Sequence, residues 1–195
     1  MSTEIELKAH VKDSEAMRLL LMEKAVYGWA FEKEDSYFVP AAPLSPTARI
    51  RLRRERRSYP DGSNDSFVFL TCKMKKIADG IEVNDEKEFE IRSPQGAAFG
   101  YDDSDFENFL KMTGCKLCAL KRKEGWLFSK GELHAELAKV EGLLWFLELE
   151  ILAGDDKEET VSCGKAKLLS FLGELGIKKE AIESRFYTDM LKDKQ

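Results

Sequence analysis

Charged residues recur two apart along this chain, and in most places the residues between them are apolar. Glu4, Glu6 and Lys8 alternate with Ile5 and Leu7; Arg49, Arg51 and Arg53 with Ile50 and Leu52; Lys73 and Lys75 bracket Met74. Glu86, Glu88 and Glu90 keep the spacing, as do Lys121 and Lys123, and then Glu148 and Glu150 among Leu147, Leu149 and Ile151. On a strand, residues i, i+2 and i+4 point to one face, so each set shares a side. An ordinary half-buried strand would show a solvated face of this kind. Like charges spaced in this way lie roughly 7 Å apart. Each pair costs about 0.6 kcal/mol in water and about 2 kcal/mol at an effective dielectric near 20. A scattered surface mixes signs to avoid that cost. Here the faces at 49–53, 73–75 and 121–123 are basic, and those at 86–90 and 148–150 are acidic. The segregation implies faces that converge on a lumen with opposed basic and acidic walls. Arg and Lys neutralise phosphate oxygens, and clustered carboxylates hold hard cations such as Mg²⁺ or Mn²⁺. The implied chemistry is therefore a metal–polyphosphate site. An empty lumen of this kind is expected to repel itself, so that removing Arg51 would relieve strain.

The elements that hold these faces follow from hydrophobic period and turn residues. Strands are expected over Glu4–Val11, Tyr27–Val39, Ala48–Arg54, Phe67–Lys76, Glu86–Ile91, about Leu117–Phe128, Leu133–Val140 and Trp145–Leu152. Tyr59–Ser66, with its Pro, Gly and Asn, is expected to connect a hairpin, and Pro40, Pro43 and Pro46 mark a loop. A helix is expected over Ser14–Lys24 with Ser14 as N-cap, and another over Asp103–Met112. The tail is expected to be helical over Glu159–Leu175 and Lys179–Lys192, split at Gly176. Antiparallel strands with short turns, one early helix and late helices make an α+β barrel.

The chain has 195 residues, 43% hydrophobic and 34% charged, which fits one domain over 1–195 with 159–195 as helices packed on the barrel. A net charge of −5 provides no global basic field and argues against nucleic acid as a partner. The longest apolar run, Leu143–Leu147, is too short to span a bilayer, and the N-terminus lacks a secretory pattern. Cys72, Cys115, Cys118 and Cys163 form no dense framework, so a reducing cytoplasm is the expected location.

The residues in question resemble the CYTH family, the triphosphate tunnel proteins named for class IV adenylyl cyclases and thiamine triphosphatases. Glu4-Ile-Glu6-Leu-Lys8 is similar to the family's ExExK signature. The resemblance continues in order through Asp35-Ser-Tyr37-Phe, Arg49-Ile-Arg51-Leu-Arg53, Thr71-Cys-Lys73, Glu86-Lys-Glu88, Lys121-Arg-Lys123, Phe146-Leu-Glu148-Leu-Glu150 and Tyr187-Thr-Asp-Met-Leu191. It implies a closed tunnel of eight antiparallel strands. It also implies divalent metal (Mg²⁺ or Mn²⁺) at Glu4, Glu6, Glu148 and Glu150, and a triphosphate gripped by Lys8, Arg51, Arg53, Lys73, Lys121 and Lys123. Glu4, Glu6 and Lys8 take the catalytic roles, with Arg49, Lys75, Glu86, Glu88 and Glu136 as further candidates. Lys123 stands where the family more often has Arg. Ala138 stands where the family has an Asp, with Glu136 on the same face as a candidate replacement, and Leu144 replaces the second Gly of a Gly-Leu-Gly turn.

Other motifs carry less. Cys115-Lys-Leu-Cys118 has the spacing of a redox or zinc pair, but on a strand residues three apart face opposite ways and no second pair follows. His134-Ala-Glu136 lacks the Pro-Cys-x-x-Cys of a zinc deaminase, and Gly164-Lys165 lacks the rest of a P-loop. The basic run Arg53–Arg57 near Tyr59 reads as a tunnel mouth that funnels anions rather than an RNA-facing patch. The leading function is hydrolysis of a triphosphate compound, inorganic or organic. The alternative is cyclisation of ATP to cyclic AMP and pyrophosphate, and a third reading is a non-enzymatic polyphosphate-binding module. The sequence is silent on oligomeric state, although members of the family often pair as homodimers.

Overall fold

The computed structural model describes residues 3–43, 48–78, 80–91 and 104–194. Pro46, Asp103 and the side chain of Lys75 lie outside the described residues. The expected strands are present: β1 Thr3–Val11, β2 Val26–Val39, β3 Arg49–Ser58, β4 Asn64–Ala78, β5 Ile81–Glu90, β6 Lys116–Lys130, β7 Leu133–Val140 and β8 Trp145–Ala153. They close into a barrel in the order β1-β5-β4-β3-β2-β6-β7-β8, antiparallel at every seam.

The apolar residues of the alternating pattern face outward. Ile5 and Leu7 of β1, Leu147, Leu149 and Ile151 of β8 and Leu137 of β7 pack beneath Leu168, Phe171 and Leu172 of α3 (Glu158–Glu174) and Leu21 of α1 (Ser14–Lys24). On the opposite wall Phe38, Leu52 and Val68 pack under Leu110 and Phe106 of α2 (Ser104–Met112). Burying each such side chain is worth about 1.5–3 kcal/mol. The core thus lies between the barrel and its helices, which leaves the lumen to the charged residues.

Several boundaries differ from expectation. Asp13, not Ser14, caps α1, accepting the Ala16 N–H at 3.0 Å. β5 begins five residues early, because Asn84 and Asp85, poor strand formers, are held by β4 on one side and β1 on the other. The tail beyond Gly176 is not one helix. A 3-10 turn at Lys179–Ala181 leads to an extended stretch, and only Tyr187–Lys192 forms α4. The reason lies in β1, which pairs with β5 only through Glu6 and so leaves Lys8 and Ala9 with an open edge. Ile182 bridges Ala9, and the Glu183 N–H donates to the Lys8 carbonyl at 2.8 Å. No described helix is long and apolar enough to cross a membrane.

Two glycines test the packing. A Cβ on Gly125 of β6 would lie 2.1 Å from the Leu137 carbonyl oxygen and 2.8 Å from the Ala138 Cα, both rigid backbone of β7. A Cβ on Gly164 of α3 would meet the Cδ1 of Ile5 at 2.4 Å, the movable end of a side chain. Gly125→Ala should cost about 3 kcal/mol. Gly164→Ala should cost about 1 kcal/mol or less, since the gain in helix propensity offsets the crowding. Urea midpoints of the two variants check this, and the reverse order would contradict the packing described.

Candidate functional site

The lumen encloses a cavity of about 650 Å³, within the ordinary range for small-molecule sites. The structure brings Glu4, Glu6, Arg49, Arg51, Arg53, Lys73, Glu86, Glu88, Lys121, Lys123, Glu136, Glu148 and Glu150 to its wall. Lys8 is buried on the same face of β1, bonded to Glu82 at 3.4 Å.

The basic residues of the lumen are not left to repel one another. The barrel closure places basic strands beside acidic ones, and the charges pair across seams. Arg53 forks onto Asp35 through two bonds of 2.7 and 2.9 Å, and Lys121 meets the same carboxylate at 3.0 Å. Lys123 lies between Glu136 at 2.6 Å and Glu148 at 2.8 Å. Lys33 pairs with Glu136 and, at 3.8 Å, with Glu55. Arg51 donates to Thr71 and Glu88 at 3.0 Å each and to Glu86 at 3.4 Å. Removing Arg51 would therefore take a cation from the half-buried Glu86 and the exposed Glu88 rather than simply relieve strain, which corrects the sequence-based expectation.

Lys73 reaches into the acidic wall. Its ammonium pairs with Glu4, with Glu6 at 3.1 Å and with Glu86 at 3.2 Å. Glu6 stands directly opposite Glu150 in the β1–β8 register. Negative charge is in excess here. Burial, reinforced by Glu6 and Glu86 and only partly opposed by Lys73, pushes the Glu4 carboxyl up to about 7. Burial, then Glu4 and Glu6, raises Glu150 well above the usual range. Elsewhere the cations win: although burial works the other way, Arg53 and Lys121 hold Asp35 well below its usual range, and Lys123 and Lys33 do so for Glu136.

Among the described residues no three acidic, His or Cys side chains converge as ready-made metal ligands, since Lys73 bridges the carboxylates that come nearest to doing so. The donor set nevertheless suits a hard cation. Among the described residues Asn84 Oδ1 is a buried acceptor without a hydrogen bond, and Asn84 sits against Glu4, to which its amide donates at 3.0 Å; Glu86 Oε2 meets the Lys73 ammonium at 3.2 Å. Oxygen donors of this kind are what Mg²⁺ and Mn²⁺ take.

Sequence reading missed Lys33, Glu55, Glu82 and Asn84 on the inner faces, although β2 and β5 show the same two-residue spacing. Asp35 and Tyr187 belonged to quoted motifs, but nothing in the sequence placed them. Tyr187 begins α4, packs edge-on against Phe146 at 5.0 Å and donates its hydroxyl to Glu148 at 2.6 Å. Ala138 is fully buried in register with Gly125 and Phe146, beyond the charged stretch. Cys115 is buried in the cluster around Phe38 and Leu52 while Cys118 lies at the tunnel wall, so the two do not pair.

The sequence matches the family model described as CYTH domain over residues 2–187. No curated protein matches it. Among solved structures it is similar to the PH1819 protein of Pyrococcus horikoshii OT3, at 27% identity over 98% of this chain and 99% of that one, with a TM-score of 0.80. A Vibrio parahaemolyticus protein provisionally described as an adenylate cyclase shares the fold at 18% identity, 97% of each chain and a TM-score of 0.71. So does HpAC1 from Hippeastrum, described as having a dominant triphosphatase activity, at 20% identity, 99% of this chain, 96% of that one and a TM-score of 0.59.

The raised Glu4 and Glu150 fix a pH dependence. Between about pH 4.5, the ordinary glutamate value, and pH 7 the folded chain keeps a proton on Glu4 that the unfolded chain has released. Stability therefore falls as pH rises through that window. Glu150 adds to the slope in the same direction, while the depressed carboxylates act only below it. Metal-free protein should melt lower at pH 7.5 than at pH 5.5, and Glu4→Gln should flatten the decline. An undiminished slope in Glu4→Gln would show that Glu4 is not its source.

Proposed function

The chain belongs to the CYTH family, and from that premise we propose that it hydrolyses a triphosphate compound inside the tunnel with a divalent cation, Mg²⁺ or Mn²⁺. The observation that carries the reading is the enclosed lumen itself, where a basic wall faces carboxylates whose protons are held by an excess of negative charge.

In this reading Glu4, Glu6 and Glu150, with Glu148 beside them, hold the cation. Lys8, Arg51, Arg53, Lys73, Lys121 and Lys123 bind the triphosphate oxygens. When bound, the metal neutralises phosphate charge and polarises a phosphoryl oxygen. The chain's own residues do the rest. Asp35 keeps Arg53 and Lys121 fixed, so that their remaining N–H groups are already oriented toward charge that develops on the phosphoryl group. Lys73, paired with Glu4, Glu6 and Glu86, would be released toward phosphate if Glu4 and Glu6 held a cation. Glu136, clamped by Lys33 and Lys123, serves as a positioning residue rather than as a replacement ligand for the carboxylate absent at Ala138. The buried positions of Lys33, Asp35, Lys121 and Lys123 limit their contact with water, which strengthens their interactions.

HpAC1's description favours hydrolysis, and the Vibrio protein's description keeps ATP cyclisation as the second reading. Inorganic triphosphate with Mg²⁺ or Mn²⁺ at about 100 times its dissociation constant should stabilise the chain by about 2.7 kcal/mol. That corresponds to about 5–10 °C in Tm. Orthophosphate should be released from inorganic triphosphate, and Glu6→Gln should lower turnover by about a hundredfold or more while keeping the fold. Cyclic AMP as the dominant product from ATP would replace hydrolysis with cyclisation. Binding without turnover of either substrate would leave a polyphosphate-binding module. No thermal shift with any metal would defeat the tunnel reading altogether.

A further inference from the structure

One row of charges crosses five neighbouring strands of the barrel. Glu55 of β3, Lys33 of β2, Lys123 of β6, Glu136 of β7 and Glu148 of β8 pair along it. Glu136 is shared at its centre: one carboxylate oxygen takes Lys33, and the other takes Lys123 at 2.6 Å. Lys33 and Lys123 stand directly opposite each other in the β2–β6 register, so Glu136 also screens two like charges. Phe31 lies close to both ammonium groups, its centroid 4.2 Å from Lys33 and 5.8 Å from Lys123. The two lysines differ in what else they touch. Lys123 directs two of its three N–H groups to Glu136 and Glu148. The third has no hydrogen-bond partner among the described residues. Lys33 is held by Glu136, by Glu55 at 3.8 Å and by the nearer face of the Phe31 ring.

We propose that Lys33 is a positioning residue for triphosphate binding: it is the standing counter-ion of Glu136, and so frees Lys123 to turn to a phosphate. The proposal rests on the triphosphate reading above. Lys123 can leave Glu136 only if that carboxylate is not then buried bare, because an uncompensated buried charge is strongly destabilising. Lys33, bonded to the other oxygen of Glu136, meets that need. Glu148 is provided for separately by the Tyr187 hydroxyl at 2.6 Å. The dependence runs both ways. Burial pushes the Lys33 ammonium below its usual range, and Glu136 is the strongest influence opposing it. Lys33 has two carboxylates and a close ring to keep it in place, whereas Lys123 has an N–H to spare. That difference decides which of the two lysines moves.

A methylene-bridged, non-hydrolysable inorganic triphosphate, titrated with Mn²⁺ into the full chain, reads the effect. Lys33→Met keeps the side chain's length and removes its charge, and should weaken binding about tenfold. Adding Glu136→Gln removes the carboxylate that Lys123 would strand. The double variant should therefore recover to within about threefold of the wild type. It holds no lone buried carboxylate at this point, so it carries the test even if Lys33→Met does not fold. A double variant that binds about tenfold more weakly than the wild type would make Lys33 a direct phosphate ligand and overturn the proposal. Unchanged binding in Lys33→Met would overturn it too. In turnover of inorganic triphosphate, Lys33→Met should raise KM about tenfold and leave kcat within about threefold. A loss confined to kcat would place Lys33 in the chemistry itself and overturn the positioning role. A wild type that binds triphosphate while the variants miss these outcomes refutes this proposal alone. One that binds no triphosphate refutes the parent reading and this proposal with it.

Discussion

Neutralisation of buried charge governs this barrel. Placing ammonium and carboxylate groups in a lumen with little access to water costs several kcal/mol per ion unless each finds a partner. Lys8, Lys33, Arg51, Arg53, Arg57, Lys73, Lys121 and Lys123 each lie within ion-pair distance of a carboxylate. The requirement reaches outward. Because the inner face is committed to charge, the apolar face has to be buried outside, and α1, α2 and α3 meet that need. Helix placement and lumen chemistry thus follow from the same alternation.

The pairing also constrains what can enter. An anion that took Arg53, Lys121 and Lys123 alone would leave Asp35 with only the Tyr37 hydroxyl, Glu136 with Lys33 and Glu148 with the Tyr187 hydroxyl, and removing one member of a buried pair is strongly destabilising. A cation alone would displace Lys73 from Glu4, Glu6 and Glu86 and leave an ammonium stranded. On the proposed reading, a metal and a polyanion bound together would leave neither set unpaired, since the carboxylates would face the metal and the lysines the phosphates. On that reading the lumen would suit a metal–polyphosphate complex better than either component by itself.

Much of this was legible in the sequence, and the limits have physical causes. A two-residue period is local, so the strands and their charged faces could be read from residues such as Arg49, Arg51 and Arg53 alone. Which charges meet depends on closure: Lys73 is far in sequence from Glu4 and Glu6, and only the placement of β5 between β4 and β1 brings them together. The expectation of repulsion at Arg51 failed for the same reason, because its partners Glu86 and Glu88 lie two strands away across β4. The extended stretch before Tyr187 was hidden because its conformation is set by the open edge of β1 and not by its own residues.

The same dependence on neighbours divides a motif that looks symmetrical in the sequence. Glu148 and Glu150 share a face of β8, two residues apart, yet their surroundings oppose each other. Against burial, which would raise it, Lys123 brings Glu148 below the ordinary carboxylate range, and Glu148 accepts the Tyr187 hydroxyl as well. Glu150 faces Glu6 in register and is raised by burial and by Glu4 and Glu6 together. A group already ionised and doubly bonded has little to gain from a metal, whereas one kept protonated by its acidic neighbours gains the full interaction when a cation relieves them. On the proposed reading, a divalent ion would therefore be drawn chiefly to the Glu4–Glu6–Glu150 side. Glu148 is better suited to linking that centre, through Lys123 and Tyr187, to the phosphate-facing cations and to the helix that closes the tunnel's end.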